Sequence, residues 1–231
     1  MLQCFDKNEQ GRDFIVGDVH GHFSLLRSLL KMVEFDSEID RLFSTGDLVD
    51  RGPESEESIH WIERKWFHAV RGNHEQFVIE GDPYTHIMNG GAWFLTLYTA
   101  EQHMYRDAFG SLPFGIQVET DDGTVGIVHA EVPNDDWKSL EELSTVTADR
   151  REHMEDFLLW RRDIIRGRSK FSGVANIDRV VVGHSPVKEV TQVHNVTYLD
   201  TGMGNGRALT LLCMQGRGAG ELTRIDNKEQ E

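Results

Sequence analysis

Thiols and cations are scarce in this chain, and long apolar runs are missing. Only two cysteines, Cys4 and Cys213, occur among 231 residues, too few and too far apart for a disulfide framework or a thiolate metal site. They read as ordinary reduced thiols. Basic residues are outnumbered: 24 Lys+Arg stand against 39 Asp+Glu, a formal net charge of −15. A phosphate backbone or an anionic membrane surface is held mainly by Lys and Arg, so this balance argues against a general nucleic-acid or membrane binder. No run approaches the roughly 18 apolar residues that a membrane span needs. The opening MLQCFDKNEQGRD lacks the basic-then-apolar layout of a secretory signal. The expectation is a cytoplasmic protein with no nucleic-acid and no membrane partner. Internal repeats and low-complexity tracts are absent too.

What is present is enough to build a core: 39% apolar residues, with five Trp and twelve Phe. The length allows one large domain or two small ones. The polar ends, about 1–11 and 225–231, are expected to be peripheral. Asp13–Gly17 reads as a buried strand, followed by Leu25, Leu26, Leu29, Leu30 and Val33 at helical spacing. Arg41–Gly46 reads as the next strand, and Pro53 opens a helix carrying Ile59, Ile62 and Trp66. Trp66–Gly72 follows as a third strand, giving a β-α-β-α-β pattern of parallel strands. The stretch 82–112 has aromatics, a Gly pair and no long period, which predicts short helices forming a lid or wall. Phe114–Glu119 and Thr124–His129 flank Asp121, Asp122 and Gly123 as a hairpin. Helical pattern runs from about Glu141 to Ile165, and Arg179–Gly183, Val190–Leu199 and Ala208–Met214 supply further strands. The fold class is α/β, with a parallel sheet, a second sheet richer in hairpins, and helices outside both.

Five strands end alike, in an apolar run, usually a Gly, and then a metal-competent side chain: Asp18, Asp47, Asn73, His129 and His184. Ligands collect beyond the carboxyl ends of strands in such sheets, so these side chains are expected to converge, with His20 in reach. A lone Asp or His after a strand is most often a turn former; the agreement of type and crossover spacing across the set argues otherwise. Two carboxylates, one amide and three imidazoles suit Mn²⁺, Fe or Zn²⁺, and six donors are too many for one ion with an open position. Two ions sharing a carboxylate, about 3.5–4 Å apart, account for the number.

The motifs Gly17-Asp18-Val19-His20-Gly21, GDLVDRG at 46–52, GNHE at 72–75, His129-Ala130 and Gly183-His184 resemble the phosphoprotein phosphatase branch of the calcineurin-like metallophosphoesterases, in particular its bacteriophage lambda type. Trp66-Phe67, Asn89-Gly90-Gly91 with Trp93-Phe94, Trp160-Arg161-Arg162 and Leu199-Asp200-Thr201-Gly202 extend the likeness over about 13–214. The resemblance implies a single domain, 1–231, folded as a four-layer α/β/β/α sandwich, and a Mn²⁺-dependent phosphomonoesterase of phosphorylated proteins or peptides that needs no phosphoenzyme. Phosphotyrosine and small phosphate esters are further expected substrates. By the same resemblance, Asp18, His20 and Asp47 hold the first metal, and Asp47, Asn73, His129 and His184 the second. His74 looks like the general acid, Asp50 like the carboxylate that orients it, and Arg51, Arg71 and Arg162 like the phosphate-binding arginines, Arg162 being favoured over Arg161. His22 stands where the phage type has Cys. Asn89, Gly90, Gly91 and Trp93 fit either a substrate wall or a structural turn. The rival within the fold is a symmetrical bis(5'-nucleosyl)-tetraphosphatase, which typically reads GDLVARGP and GNHD where this chain has Asp50 and Glu75.

Overall fold

The computed structural model describes residues 1–80, 82–168 and 170–227. In chain order the strands are β1 (Leu2–Phe5), β2 (Asp13–Val16), β3 (Arg41–Ser44), β4 (Phe67–Ala69), β5 (Gly115–Thr120), β6 (Gly123–Val128), β7 (Arg179–Val182), β8 (Thr191–Val193), β9 (Val196–Tyr198), β10 (Ala208–Gln215) and β11 (Leu222–Asp226). They form a five-stranded sheet, β11-β10-β2-β3-β4, and a six-stranded sheet, β1-β5-β6-β7-β9-β8. The segment β2, β3 and β4 is parallel, as the crossover pattern predicts. β5 and β6 form the expected antiparallel hairpin.

Successive strand side chains point to opposite faces, and here both faces are apolar. In the first sheet Phe14, Val16, Leu42, Leu209 and Leu211 pack outward on α1 (Phe23–Met32), through Leu26, Leu29 and Leu30, and on Trp61 and Phe109. Their neighbours Ile15, Phe43, Leu212 and Met214 point inward, where they meet Ile116, Val118, Val125, Ile127 and Val181 of the second sheet. The other face of that sheet, with Val128, Val180, Val182 and Tyr198, is covered by Leu140, Met154 and Leu158. Three cores between four layers make the α/β/β/α sandwich.

Four sequence expectations change. Residues of the polar ends join the sheets as edge strands: β1 lies parallel on β5, and Ile225 and Asp226 belong to β11. The helix after Pro53 is short, α2 (Ser58–Ile62), because the chain turns so that Trp66 packs edge-on against Trp61 at 5.7 Å. The pattern from Glu141 to Ile165 divides into a short helix at Ser139–Glu142 and a longer one at Ala148–Trp160, and Val190–Leu199 is a hairpin turning at His194 (φ 54°) and Asn195. The Asn195 amide ties that turn to Val174 and Ile177 backbone atoms, a tertiary anchor that the sequence of the run does not show. The stretch 82–112 holds helices at Pro83–Met88 and Thr99–Ser111 around a 3₁₀ segment at Gly91–Thr96. Among the described residues no helix is long and apolar enough to cross a membrane.

Candidate active site

The site forms where the strands stop. Asp18 follows β2, Asp47 follows β3, Asn73 follows β4, His129 follows β6 and His184 follows β7. Several of these turns are tight: His20, Asp47, Asp50, Arg51 and His184 all have φ between 44° and 71°. Non-glycine residues in that region each store on the order of 1 kcal/mol, so the surrounding contacts must fix them. Those contacts are visible. The Val19 and His20 N–H groups donate to the Asp47 carbonyl, and the Glu75 carboxylate accepts from the N–H groups of Asp47, Leu48 and Gly72 at 2.7–2.9 Å. Glycine is needed at two crossings: a Cβ on Gly72 would strike the Asp47 carboxylate, and one on Gly183 would strike that of Asp18.

A cavity of about 170 Å³ results, lined by Asp18, His20, Asp47, Arg51, Asn73, His74, Arg162 and His184, with Asp200, Asn205 and Pro186. That is room for a phosphate and little more, as one liquid water occupies about 30 Å³. His129 lies fully buried beneath, 2.9 Å from Asn73 Oδ1 and 3.4 Å from Asp47 Oδ1.

Three imidazoles share one arrangement. His20 Nδ1 meets the Val49 carbonyl at 3.0 Å, His129 Nδ1 the Thr45 carbonyl at 2.7 Å, and His184 Nε2 the Trp160 carbonyl at 3.1 Å. Each outer nitrogen therefore donates, and a neutral ring leaves its inner nitrogen as a bare lone pair. Burial keeps them neutral: with His74 alongside, it pushes His20 down to about 3, and with His129 and Arg162 it pushes His184 down to about 2. His129 is lowered mainly by burial as well. The inner nitrogens of His129 and His184 both point at Asn73 Oδ1, 2.9 Å away, and His20 Nε2 lies 3.6 Å from Asp47 Oδ2. Lone pairs aimed at acceptor oxygens in a buried place call for a cation between them.

The donor set fits divalent metal. Potential ligand atoms cluster as His20, Asp47 and His74 and as Asp47, His129 and His184, with Asp47 common to both. Asp18 lines the same cavity, its carboxylate accepting from Thr45 Oγ1 and the His184 N–H, each at 2.9 Å. Burial, then the charges of Asp200 and Asp47, raise Asp18 well above the usual carboxylate range. Burial also opposes the charge on Asp47, but His129, His74, His20 and His184 outweigh it and leave that group below its usual range.

His74 differs from the other three rings. Burial pulls its pKa down, yet the Asp47 charge and the hydrogen bond to Asp50 outweigh burial and raise it above the ordinary value. Its Nδ1 lies 2.7 Å from Asp50 Oδ2, and its Nε2 faces Arg51 at 3.0 Å. Arg51 also reaches His20 Nε2 at 3.2 Å. Arg162 donates to the His184 carbonyl at 3.0 Å, while Arg161 turns to Asp156 and Asp163.

Arg71 does not join them. Its guanidinium lies over Phe114, 4.6 Å from the ring centroid, and donates to the carbonyls of Gly110 and Leu112, where the helix Thr99–Ser111 ends. A cation at the carbonyl end of a helix is in a favourable field and has no reason to turn to the cavity.

Three contributors lay outside the sequence-based set, and Trp93, read there as a wall or turn residue, takes a definite place beside them. His86 and Trp93 hold Asp50, through Nε2 at 2.9 Å and Nε1 at 2.7 Å; Glu75 clamps the loops; and Asp200 lines the cavity, pushed up to about 6 mainly by burial. GNHE and LDTG flagged Glu75 and Asp200 without a role, whereas His86 lies just before the quoted Asn89-Gly90-Gly91 but outside it. Asn89-Gly90-Gly91 acts as a turn: Gly90 (φ 98°) accepts the Arg51 N–H, and a Cβ on Gly91 would strike the His86 ring.

With that geometry established, relatives can be placed. The calcineurin-like phosphoesterase profile matches residues 14–216. The chain belongs to that family. A protein named serine/threonine-protein phosphatase 1 of Salmonella typhimurium is 35% identical over 212 residues, 87% of this chain and 91% of its own. Serine/threonine-protein phosphatase 2 of Escherichia coli is 32% identical, over 85% of this chain and 90% of its own. The symmetrical bis(5'-nucleosyl)-tetraphosphatase of Vibrio cholerae matches over only 65 residues, 27% of this chain and 24% of its own, at 45% identity. In fold, a protein serine/threonine phosphatase from Saccharomyces cerevisiae superposes with a TM-score of 0.67 at 16% identity, covering 100% of this chain and 84% of its own.

Proposed function

We propose that this calcineurin-like phosphoesterase is a cytosolic protein phosphatase that acts as one catalytic domain, removing phosphate from phosphoserine and phosphothreonine. The observation that carries the reading is the division among four buried imidazoles: three held neutral with inner lone pairs, and His74 alone biased toward its cation and paired with Asp50. A serine or threonine oxygen is a poor leaving group and needs a proton as its bond to phosphorus breaks. His74 Nε2, on the cavity wall, is placed to give it, with Asp50 holding the ring through Nδ1.

Asp18, His20 and Asp47 would hold one ion and Asp47, Asn73, His129 and His184 the other, with Mn²⁺ the expected metal and Fe or Zn²⁺ matching the same donors. When bound, such ions supply Lewis-acid activation of water and neutralise phosphate charge. Arg51 and Arg162 both line the cavity, where their guanidinium groups would meet phosphate oxygens. Arg71 supports the wall instead. Relatives named serine/threonine-protein phosphatase, similar over most of the chain, support the substrate class.

The test compares phosphate release from a phosphoserine peptide, p-nitrophenyl phosphate and diadenosine tetraphosphate, with Mn²⁺ and with chelator. Dephosphorylation of the peptide that chelator abolishes and that His74→Asn cripples is expected. Preferential cleavage of the dinucleotide, or peptide dephosphorylation that survives loss of His74 or Asp47, overturns the reading.

A further inference from the structure

The loop that carries Arg162 to the cavity is the most basic stretch of an acidic protein. Residues 161–170 hold five of the 24 basic side chains against one acid, Asp163, while the whole chain carries −15. Two of the five are committed: Arg161 to Asp156 and Asp163, and Arg162 to the cavity. Arg166, Arg168 and Lys170 are exposed, and none has a side-chain partner among the described residues.

The loop is anchored. Ile164 is buried in the core with Leu158 and Leu159, and its N–H donates to Glu131 Oε1 at 2.7 Å. The N–H groups of Arg166, Gly167 and Arg168 fold back on the carbonyls of Arg162, Ile164 and Asp163 at 2.8–3.3 Å. The bond from Arg166 to Arg162 closes one helical turn, which sets the two side chains on one side about 5–6 Å apart. They feel each other: burial, and then the Arg166 charge, pull the Arg162 guanidinium below its ordinary value.

We propose that Arg166, Arg168 and Lys170 form a recognition surface for Asp or Glu residues flanking the phosphorylated residue, so that the preferred substrates are acidic phosphopeptides. An extended peptide advances about 3.3 Å per residue, so one helical turn from Arg162 corresponds to about two residues from the phosphoryl group. The charge balance supports that partner. An acidic peptide is repelled by the −15 surface at large, but at physiological salt charges interact over only about 8 Å, and the 161–170 stretch beside the cavity carries five basic side chains against one acid.

This inference rests on the phosphatase reading above, and one experiment separates the two. Three phosphoserine peptides, differing only in Asp/Glu, Ala or Lys at the two positions on either side, are compared by kcat/KM, with p-nitrophenyl phosphate as a small substrate. The protein is expected to prefer the acidic peptide over the lysine peptide on the order of tenfold, from a few exposed charge pairs, with the preference shrinking in high salt. Combined Arg166→Glu, Arg168→Glu and Lys170→Glu inverts the order and leaves p-nitrophenyl phosphate within about twofold. Should that variant fail to fold, Arg166→Gln with Lys170→Gln must still reduce the preference. Equal kcat/KM for the three peptides, or an acidic preference retained by the variants, overturns the surface alone. Turnover of p-nitrophenyl phosphate with no peptide dephosphorylated overturns the protein-phosphatase reading and the surface with it.

Discussion

Asp50 has no exposed surface and no place on the cavity wall, yet three side chains converge on its carboxylate. Burial opposes its charge, and the hydrogen bonds from His74 and His86 reverse that, leaving its pKa below the usual carboxylate range. The pH consequence follows in sign. His74 acts as an acid only while protonated, and its pKa is raised, so kcat for an alkyl phosphate should fall as pH rises through that raised value, above about 6.5. Asp50→Asn removes one of the charges that support the cation. The falling limb should move to lower pH, and kcat at pH 8 should drop about 100-fold or more for phosphoserine. p-Nitrophenyl phosphate, whose leaving group needs no proton, should lose much less; a pH-rate profile for each substrate checks this. His86→Leu should show a milder form of the same split, about tenfold in kcat on phosphoserine with KM little changed, because one of three donors to a buried charge is lost. An equal loss on both substrates would mean that His86 serves packing alone.

At the level of elements, the strand ends were legible and the back of the site was not. Apolar run, glycine, ligand is a local signal, and Gly183 shows why it recurs: its missing Cβ lets the Asp18 carboxylate and Thr45 approach. Gly183→Ala should therefore abolish metal-dependent activity while circular dichroism shows the sheets intact. The run Val190–Leu199 marks its turn only by the polar pair His194 and Asn195, and the anchor of that turn is 18–21 residues upstream. Arg71 sits beside the GNHE motif in sequence, but whether it faces the cavity or the end of the helix Thr99–Ser111 is decided by tertiary packing. His86 is the converse case, three residues before the Asn89-Gly90-Gly91 turn but part of no ligand motif, and 2.9 Å from Asp50 in space.

Across the whole molecule, Asp18, Asp47 and Asp200 meet in one cavity without neutralising each other, and Asp18 and Asp200 are both pushed up by burial with Asp47 adding to the effect. Bound cations would relieve that repulsion. With metal at about 100 times its dissociation constant the expected gain is about 2.7 kcal/mol, or roughly 5–10 °C in Tm for a chain of this size. Scanning calorimetry at pH 7.5 with Mn²⁺ and with chelator measures it; an unchanged Tm would contradict the assigned ligands. The net charge of −15 described the surface well and said nothing of the cavity, whose character comes from a few side chains that folding gathers.

The two sheets contribute unequal shares of that gathering. Asp18, His20, Asp47 and Asn73 stand at the ends of the first sheet, His129 and His184 at the ends of the second, and the bonds from His184 N–H to Asp18 and from His129 to the Thr45 carbonyl run between them. Neither sheet alone holds the full ligand set. Ion capture therefore reports the docking of one sheet on the other: a refolding molecule should acquire tight metal affinity only after the inner faces have closed, and a ribosome-bound chain that has not yet exposed residue 184 should be catalytically silent.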